Sequence, residues 1–193
     1  MTDPVVLSEA AAYTPQPPEP HQKDAWDWVE ALLTPAELME FTELYRAAPE
    51  QKTPTLSPGD EFTHWITPNI QYGEICIWDD ARRFVNQDQC NSCIMLCSYL
   101  ETVRAHFNGN PIIITSGHRP EPINAKVGGA INSEHTFNLP KKGAIDFCIE
   151  HANIYEVEKY VDETWAYSVG YGASRGFVHF GTDGYGTRKR WYY

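Results

Sequence analysis

Apolar residues recur at helical spacing in several stretches of the chain. The longest pattern runs from 86 to 108 and ends at an Asn-Gly-Asn stop, with these positions on one face: Leu96, Leu100, Val103 and Phe107. A second amphipathic pattern covers 153–165. Shorter helices are predicted at 25–33 and at 34–48, where Thr34 is a capping residue and Pro35 suits the first turn.

Four short apolar runs predict strands, at these positions: 111–115, 144–149, 168–171 and 176–180. In the second run, Phe147 and Ile149 would face away from Asp146 and Cys148, because side chains alternate along a strand. The order of elements predicts an α+β domain with a small central antiparallel sheet flanked by helices. We divide the chain into a proline-rich arm (1–23), a helical segment (24–60) and the main domain (61–193).

Composition excludes some classes of function. The chain has 193 residues, 42% of them hydrophobic, and a net charge of −11. Such an acidic protein is not expected to bind nucleic acid or to adhere unaided to an anionic membrane. No stretch is apolar enough to span a bilayer. The N-terminus lacks the positive region of a signal peptide, so we expect cytoplasmic synthesis without membrane insertion. The proline-rich arm 1–23 is expected to be extended and to contact a neighbouring subunit.

The five cysteines form no obvious disulfide framework. Cys90, Cys93 and Cys97 share one face of the longest predicted helix, where buried thiols are the expected state. The alternative is a metal cluster completed by Cys76 or Cys148.

Candidate chemistry lies in three separate segments. His135 follows a polar turn, and Asp146 and His179 lie on predicted strands. Two imidazoles and a carboxylate form a ligand set for catalytic zinc, which takes three protein ligands and leaves a fourth position for water. With seven histidines in the chain, spacing alone also allows a coincidence.

The segments around these residues resemble the zinc D-alanyl-D-alanine carboxypeptidase family of peptidoglycan peptidases, which is related to the D-alanyl-D-alanine dipeptidases and the Hedgehog signalling domain. The resemblance covers roughly 66–191 and depends on the order of these pieces: Ile114-Thr115-Ser116-Gly117-His118-Arg119, Asn124, Gly128-Gly129-Ala130, Ser133-x-His135, Ala144-x-Asp146, Phe177-Val178-His179 and Trp191.

The resemblance implies a zinc ion held by His135, Asp146 and His179. It also implies that Arg119 pairs with a substrate carboxylate or polarises the scissile carbonyl, and that Ser133 binds substrate or supports a ligand. His118 replaces the family's usual tyrosine and either bonds substrate or fills the cleft wall. A packing role is expected of Trp191, and Tyr171 and Tyr185 either donate to an oxyanion or pack at the rim.

Two departures from the family concern the cleft and the proton acceptor. Ten residues separate His135 from Asp146, where the family usually has six, and the extra residues include Pro140 in a surface loop. The family's base position is Gly176, and an Asp that many members carry two residues after the last ligand is Gly181. We therefore predict Asp183 as the catalytic base, with Glu134 and His118 as weaker candidates.

The predicted function is a zinc-dependent metallopeptidase acting on peptidoglycan stem peptides, as a D-Ala-D-Ala carboxypeptidase or as an endopeptidase. A lytic enzyme with a proline-rich arm fits a bacteriophage endolysin or a lysin attached to the virion, released at lysis or bound through 1–23. The alternative is an inactive structural or binding module of the same fold, for example a phage tail component.

Overall fold

The computed structural model describes residue 34 and residues 53–183 and 188–193. The predicted arm 1–23, both predicted N-terminal helices and Tyr185 lie outside the described residues, apart from Thr34 itself. The proposed domain boundaries therefore stay predictions.

The described chain builds two sheets. A two-stranded antiparallel sheet pairs β1 (Trp65–Thr67) with β2 (Ile70–Gln71). The second sheet has the order β3-β4-β6-β5-β7 and consists of β3 (Ile112–Ser116), β4 (Ala144–Ile149), β5 (Ser168–Tyr171), β6 (Val178–Gly181) and β7 (Lys189–Tyr192). The four predicted strands were therefore placed correctly to within two residues, whereas β1, β2 and β7 were not predicted.

The five-stranded sheet departs from the antiparallel prediction at one edge, where β7 runs parallel to β5. Both edges of β6 are occupied, by β4 on one side and β5 on the other. Because β3 occupies the other edge of β4, the free edge on this side of the sheet belongs to β5, and β7 pairs with it. The other strand pairs of the sheet are antiparallel.

The described residues form these α-helices: α1 (Tyr72–Ile75), α2 (Gln87–His106), α3 (Glu121–Lys126) and α4 (Ile154–Thr164). Helices α2 and α4 contact the five-stranded sheet. Three 3-10 turns lie at Asp80–Arg82, Glu134–Thr136 and Ala173–Arg175. Asn86 and Asn153 begin the two long helices, because each side chain accepts a backbone N–H of the first turn, at 3.0 Å in both cases. The α+β prediction is confirmed.

Helix α2 lies at the centre of the protein, with twelve of its twenty residues buried. Cys90, Cys93 and Cys97 are fully buried and free, which confirms the prediction of core thiols. Burial raises the pKa of the Cys90 thiol to about 12. Tyr99 of α2 packs on Trp165 and on Phe180 of β6, with ring centroids 4.4 and 5.3 Å apart, so the helix supports the strand that carries His179.

Within the described residues, no helix combines the length and apolar character needed to cross a membrane.

Candidate metal centre

Three predicted ligands meet at one side of the five-stranded sheet. Asp146 of β4 and His179 of β6 are directly paired across the antiparallel ladder. His135 comes from the 3-10 turn 134–136, which is tied to the loop after β3 by a hydrogen bond from the Arg119 N–H to the His135 carbonyl, 2.8 Å long. One ligand atom from each residue lies within 4.8 Å of the other two.

His135 is oriented by its backbone neighbour. Its Nδ1 lies 2.8 Å from the Gly117 carbonyl, which accepts a hydrogen bond from the Nδ1–H group and so keeps the proton on Nδ1. The Nε2 atom is left as the free base and lies 3.3 Å from Asp146 Oδ2. A backbone carbonyl behind a histidine is a common support for a metal ligand.

His179 lies between two carboxylates. Its Nδ1 is 2.6 Å from Asp146 Oδ1, and its Nε2 is 3.5 Å from Glu134 Oε2. Nδ1 is therefore the ring atom on the side of the other two ligands, while Nε2 faces Glu134. The Ser168 hydroxyl donates to the same Glu134 oxygen at 2.6 Å.

The charges of the three groups are strongly coupled. Burial opposes ionisation of Asp146, but the contacts with His135 and His179 outweigh it and hold the pKa of this carboxyl well below its usual range. Burial also opposes protonation of His179, but its contacts with the Asp146 and Glu134 carboxylates raise its pKa to about 9. Burial lowers the pKa of His135. The site thus holds a carboxylate ready to neutralise a cation.

The donor set fits zinc. The Nε2 atom of His135 is buried without a hydrogen-bond partner, a costly state unless a further group binds there. Two nitrogens and a carboxylate oxygen are ligands that zinc prefers. In the part of the chain that the structure describes, this is the one such group of three metal-ligating side chains, so the alternative cysteine cluster finds no support.

Arg119 lies beside the three ligands. Burial lowers the pKa of its guanidinium, and the charge of Asp146 opposes that effect. The Arg119 Nε atom is buried without a partner, so the side chain holds an unused donor next to the site. This placement suits the predicted role of binding a substrate carboxylate or carbonyl.

The remaining candidates differ in position. His118 is 1% exposed and packs on Phe84 and Phe137, so its surroundings favour the cleft-wall alternative over a substrate contact. Ser133 begins the 3-10 turn that carries His135, and its role in binding stays a prediction. Tyr171 packs on Tyr192, with ring centroids 4.8 Å apart, as the packing alternative expects.

Asp183, the predicted base, follows β6 and forms an ion pair with Lys189. Its described ion pair does not involve the three ligands, and its role stays a prediction. Gly176, at the family's base position, has a φ of +88° and open space where a Cβ would lie.

Two aromatic residues near the end of β7 stand close to His179. The ring centroids of Trp191 and Tyr193 lie 5.0 and 6.1 Å from that of His179. Burial raises the pKa of Tyr193, and the charges of Asp146 and Glu134 add to this. Tyr193 was not a sequence candidate, because nothing in a Trp-Tyr-Tyr run indicates which ring faces a site.

The comparisons with known proteins agree with this geometry. A family model described as Peptidase M15 matches residues 68–181, which include all three ligands and more than half of the chain. The comparison with curated proteins found no match. Together with the converging ligand set, the family match shows that the chain belongs to the Peptidase M15 family.

Proposed function

We propose that this protein is a zinc-dependent peptidase that hydrolyses peptidoglycan stem peptides. Peptidases of the M15 family are zinc-dependent. The observation that carries the proposal is the convergence of His135, Asp146 and His179, where the buried Nε2 atom of His135 has no hydrogen-bond partner.

The residues of the site would have distinct roles in hydrolysis. Zinc, when bound by these three side chains, would supply a Lewis acid and lower the pKa of water for attack on a peptide carbonyl. The Gly117 carbonyl and the Asp146 carboxylate orient the two imidazoles. Arg119 binds a substrate carboxylate or the oxygen on which negative charge develops. Asp183 is the proposed proton acceptor, which requires that it exchange its ion pair with Lys189 for a contact at the site.

The proposed substrate class follows from Arg119 and from the family resemblance. A guanidinium binds a terminal carboxylate in a bidentate manner, so the free end of a D-Ala-D-Ala stem peptide suits this position. An endopeptidase would instead present a carbonyl to the same donors. Comparing hydrolysis of a free-acid stem peptide with that of its C-terminal amide separates the two, because only a carboxypeptidase depends on the terminal charge.

The experiment that tests the proposal combines metal analysis with hydrolysis of purified peptidoglycan. We expect about one zinc per chain and new amine termini, both lost in His135→Ala. The matched control is His106→Ala, which removes an exposed histidine stacked on Tyr160, away from the three ligands. Unchanged turnover in His135→Ala would show that the proposed site is wrong.

The biological setting that we propose is bacteriophage lysis, as an endolysin or as a virion-associated lysin. The acidic charge and the proline-rich segment 1–23 support a component tethered to a particle, through contact with a virion neighbour or another copy of the chain. Recovery of the protein in soluble lysate, and never with particles, would contradict attachment to the virion.

A second candidate function is a structural or binding module that keeps the fold without turnover. It is favoured by Gly176, which leaves the family's base position without a side chain, and by the pairing of Asp183 with Lys189. Full zinc occupancy without new amine termini on peptidoglycan or on D-Ala-D-Ala peptides would establish this alternative.

A further inference from the structure

The Glu134 carboxylate fills a space that exists only because residue 181 is glycine. A Cβ built on Gly181 would collide with Glu134 Oε2. Glu134 lies in the turn before His135, and Gly181 ends β6, two residues after His179. The acidic side chain therefore enters the sheet from another segment and lies against the strand that carries a ligand.

This carboxylate is held in place within the protein. Glu134 is 9% exposed, and the Ser168 hydroxyl of β5 donates to its Oε2 at 2.6 Å. Ionised carboxylates are rarely buried unless hydrogen bonds and opposite charges compensate for lost hydration. A buried residue of this kind is expected to have a specific partner.

A compensating charge comes from the enlarged loop between the first two ligands. Lys142 is 5% exposed, and its ammonium donates to Asn138 Oδ1 at 3.1 Å. Burial lowers the pKa of Lys142, while the charge of Glu134 opposes that effect. The loop 138–142 thus brings a buried cation close to the buried carboxylate.

The partner of Glu134 is the Nε2 atom of His179, on the side of the ring opposite the other two ligands. Glu134 Oε2 lies 3.5 Å from His179 Nε2, while Nδ1 of the same ring faces Asp146. If Nδ1 binds the metal, the ring proton must lie on Nε2, where the Glu134 carboxylate faces it. Carboxylates behind metal-bound histidines fix the ring and increase its basicity in this way.

We propose that Glu134, held by Ser168 and accommodated by Gly181, is a positioning residue that orients His179 for the metal. The inference rests on the proposed metal site and adds a role that the family match does not assign to this residue. Glu134 does not belong to the group of described residues whose ligand atoms converge, so its effect passes through His179.

The test measures zinc affinity by competition with a chromophoric chelator in Glu134→Gln, Glu134→Ala and Ser168→Ala. Glu150→Gln, an exposed carboxylate beyond β4, is the control for Glu134, and Ser98→Ala, a buried hydroxyl bonded within α2, is the control for Ser168. Visible absorption of the Co²⁺-loaded proteins reports the ligand geometry independently of turnover. Ser168→Ala keeps the test decisive if Glu134→Ala does not fold.

We expect roughly 10- to 100-fold weaker zinc binding in Glu134→Ala, with a smaller loss in Glu134→Gln and Ser168→Ala and a changed Co²⁺ spectrum in all three. Affinities and spectra equal to those of the two controls would overturn the inference alone. Wild-type protein that binds zinc without hydrolysing any stem peptide would overturn the proposed peptidase function alone. Wild-type protein that binds no zinc would overturn both.

Discussion

In the metal-free protein, the free energy of unfolding should decrease as the pH rises from about 7 to about 8.5. His179 is responsible, because its contacts with Asp146 and Glu134 raise its pKa to about 9 despite burial. An unfolded histidine titrates near about 6.5. A group whose pKa is raised on folding contributes its full stabilisation below the unfolded pKa. That contribution is lost as the pH rises through the folded pKa.

The gap between about 6.5 and about 9 corresponds to about 3 kcal/mol, of which about 2 kcal/mol is lost between about pH 7 and about pH 8.5. Two kinds of buried group act mainly towards the ends of this interval or beyond it. Burial lowers the pKa of His118 to about 4, so its contribution changes only at lower pH. Burial raises the pKa of the Cys76 and Cys90 thiols to about 12, so each destabilises the protein as unfolded thiols ionise, by about 0.4 kcal/mol at about pH 8.5. This contribution is shared by Asp146→Asn and is removed by comparing the two proteins.

The assay is urea unfolding of chelator-treated protein at several pH values within that interval. Asp146→Asn keeps the shape of the side chain and removes the nearest negative charge on His179, so its unfolding free energy should vary much less with pH. A wild-type free energy that stays constant, or that rises with pH, would refute the assignment of charge at this site. Equal slopes in the wild type and Asp146→Asn would refute the role of Asp146.

Four further predictions concern function and stability. Arg119→Lys should reduce kcat/KM on a free-acid stem peptide by roughly 10- to 100-fold, because a charged hydrogen bond contributes about 1.5–3 kcal/mol, and an unchanged value in steady-state kinetics would contradict its role. Asp183→Asn should lower kcat by at least about 100-fold with zinc affinity unchanged, and wild-type kcat would remove Asp183 as the base. Leu100→Ala, at a fully buried position of α2, should cost about 2–5 kcal/mol in urea unfolding, and a loss below about 1 kcal/mol would contradict its place in the core. Saturation with zinc at about 1,000 times its Kd should stabilise the protein by about 4 kcal/mol, seen as a higher Tm than with chelator, whereas equal Tm values would argue against a specific site.

Much of the central sheet could be predicted from alternation along the chain. Strand β4 has the predicted bounds, and Asp146 and His179 lie on strands as expected. Edge strand β7 was missed because its first two residues, Lys189 and Arg190, are charged. Its parallel pairing with β5 depends on which sheet edge is free, and that is a property of the assembled sheet.

The apolar positions of α2 did not indicate all of its buried residues. Ser92 and Ser98 are buried beside the cysteines, because each hydroxyl donates to the backbone carbonyl four residues earlier, at 2.9 and 2.8 Å. Hydroxyls satisfied within their own helix can be buried at little cost, so a central helix need not be apolar on every face.

Part of the candidate site could be predicted from the sequence and part could not. The ordered motifs indicated His135, Asp146 and His179, and the structure brings them together. The contact between Glu134 and His179 could not be predicted, because it depends on space left by Gly181 in a different strand. Packing between distant segments of this kind leaves no periodic signal in the sequence.

The central claim is that one zinc ion binds between the 3-10 turn 134–136 and strands β4 and β6. The most direct measurement is anomalous diffraction at the zinc absorption edge from crystals of the zinc-loaded protein. The structure predicts a single strong peak within bonding distance of His135, Asp146 and His179. A peak at the cysteines of α2, or no peak at the three predicted ligands in crystals with bound zinc, would contradict it.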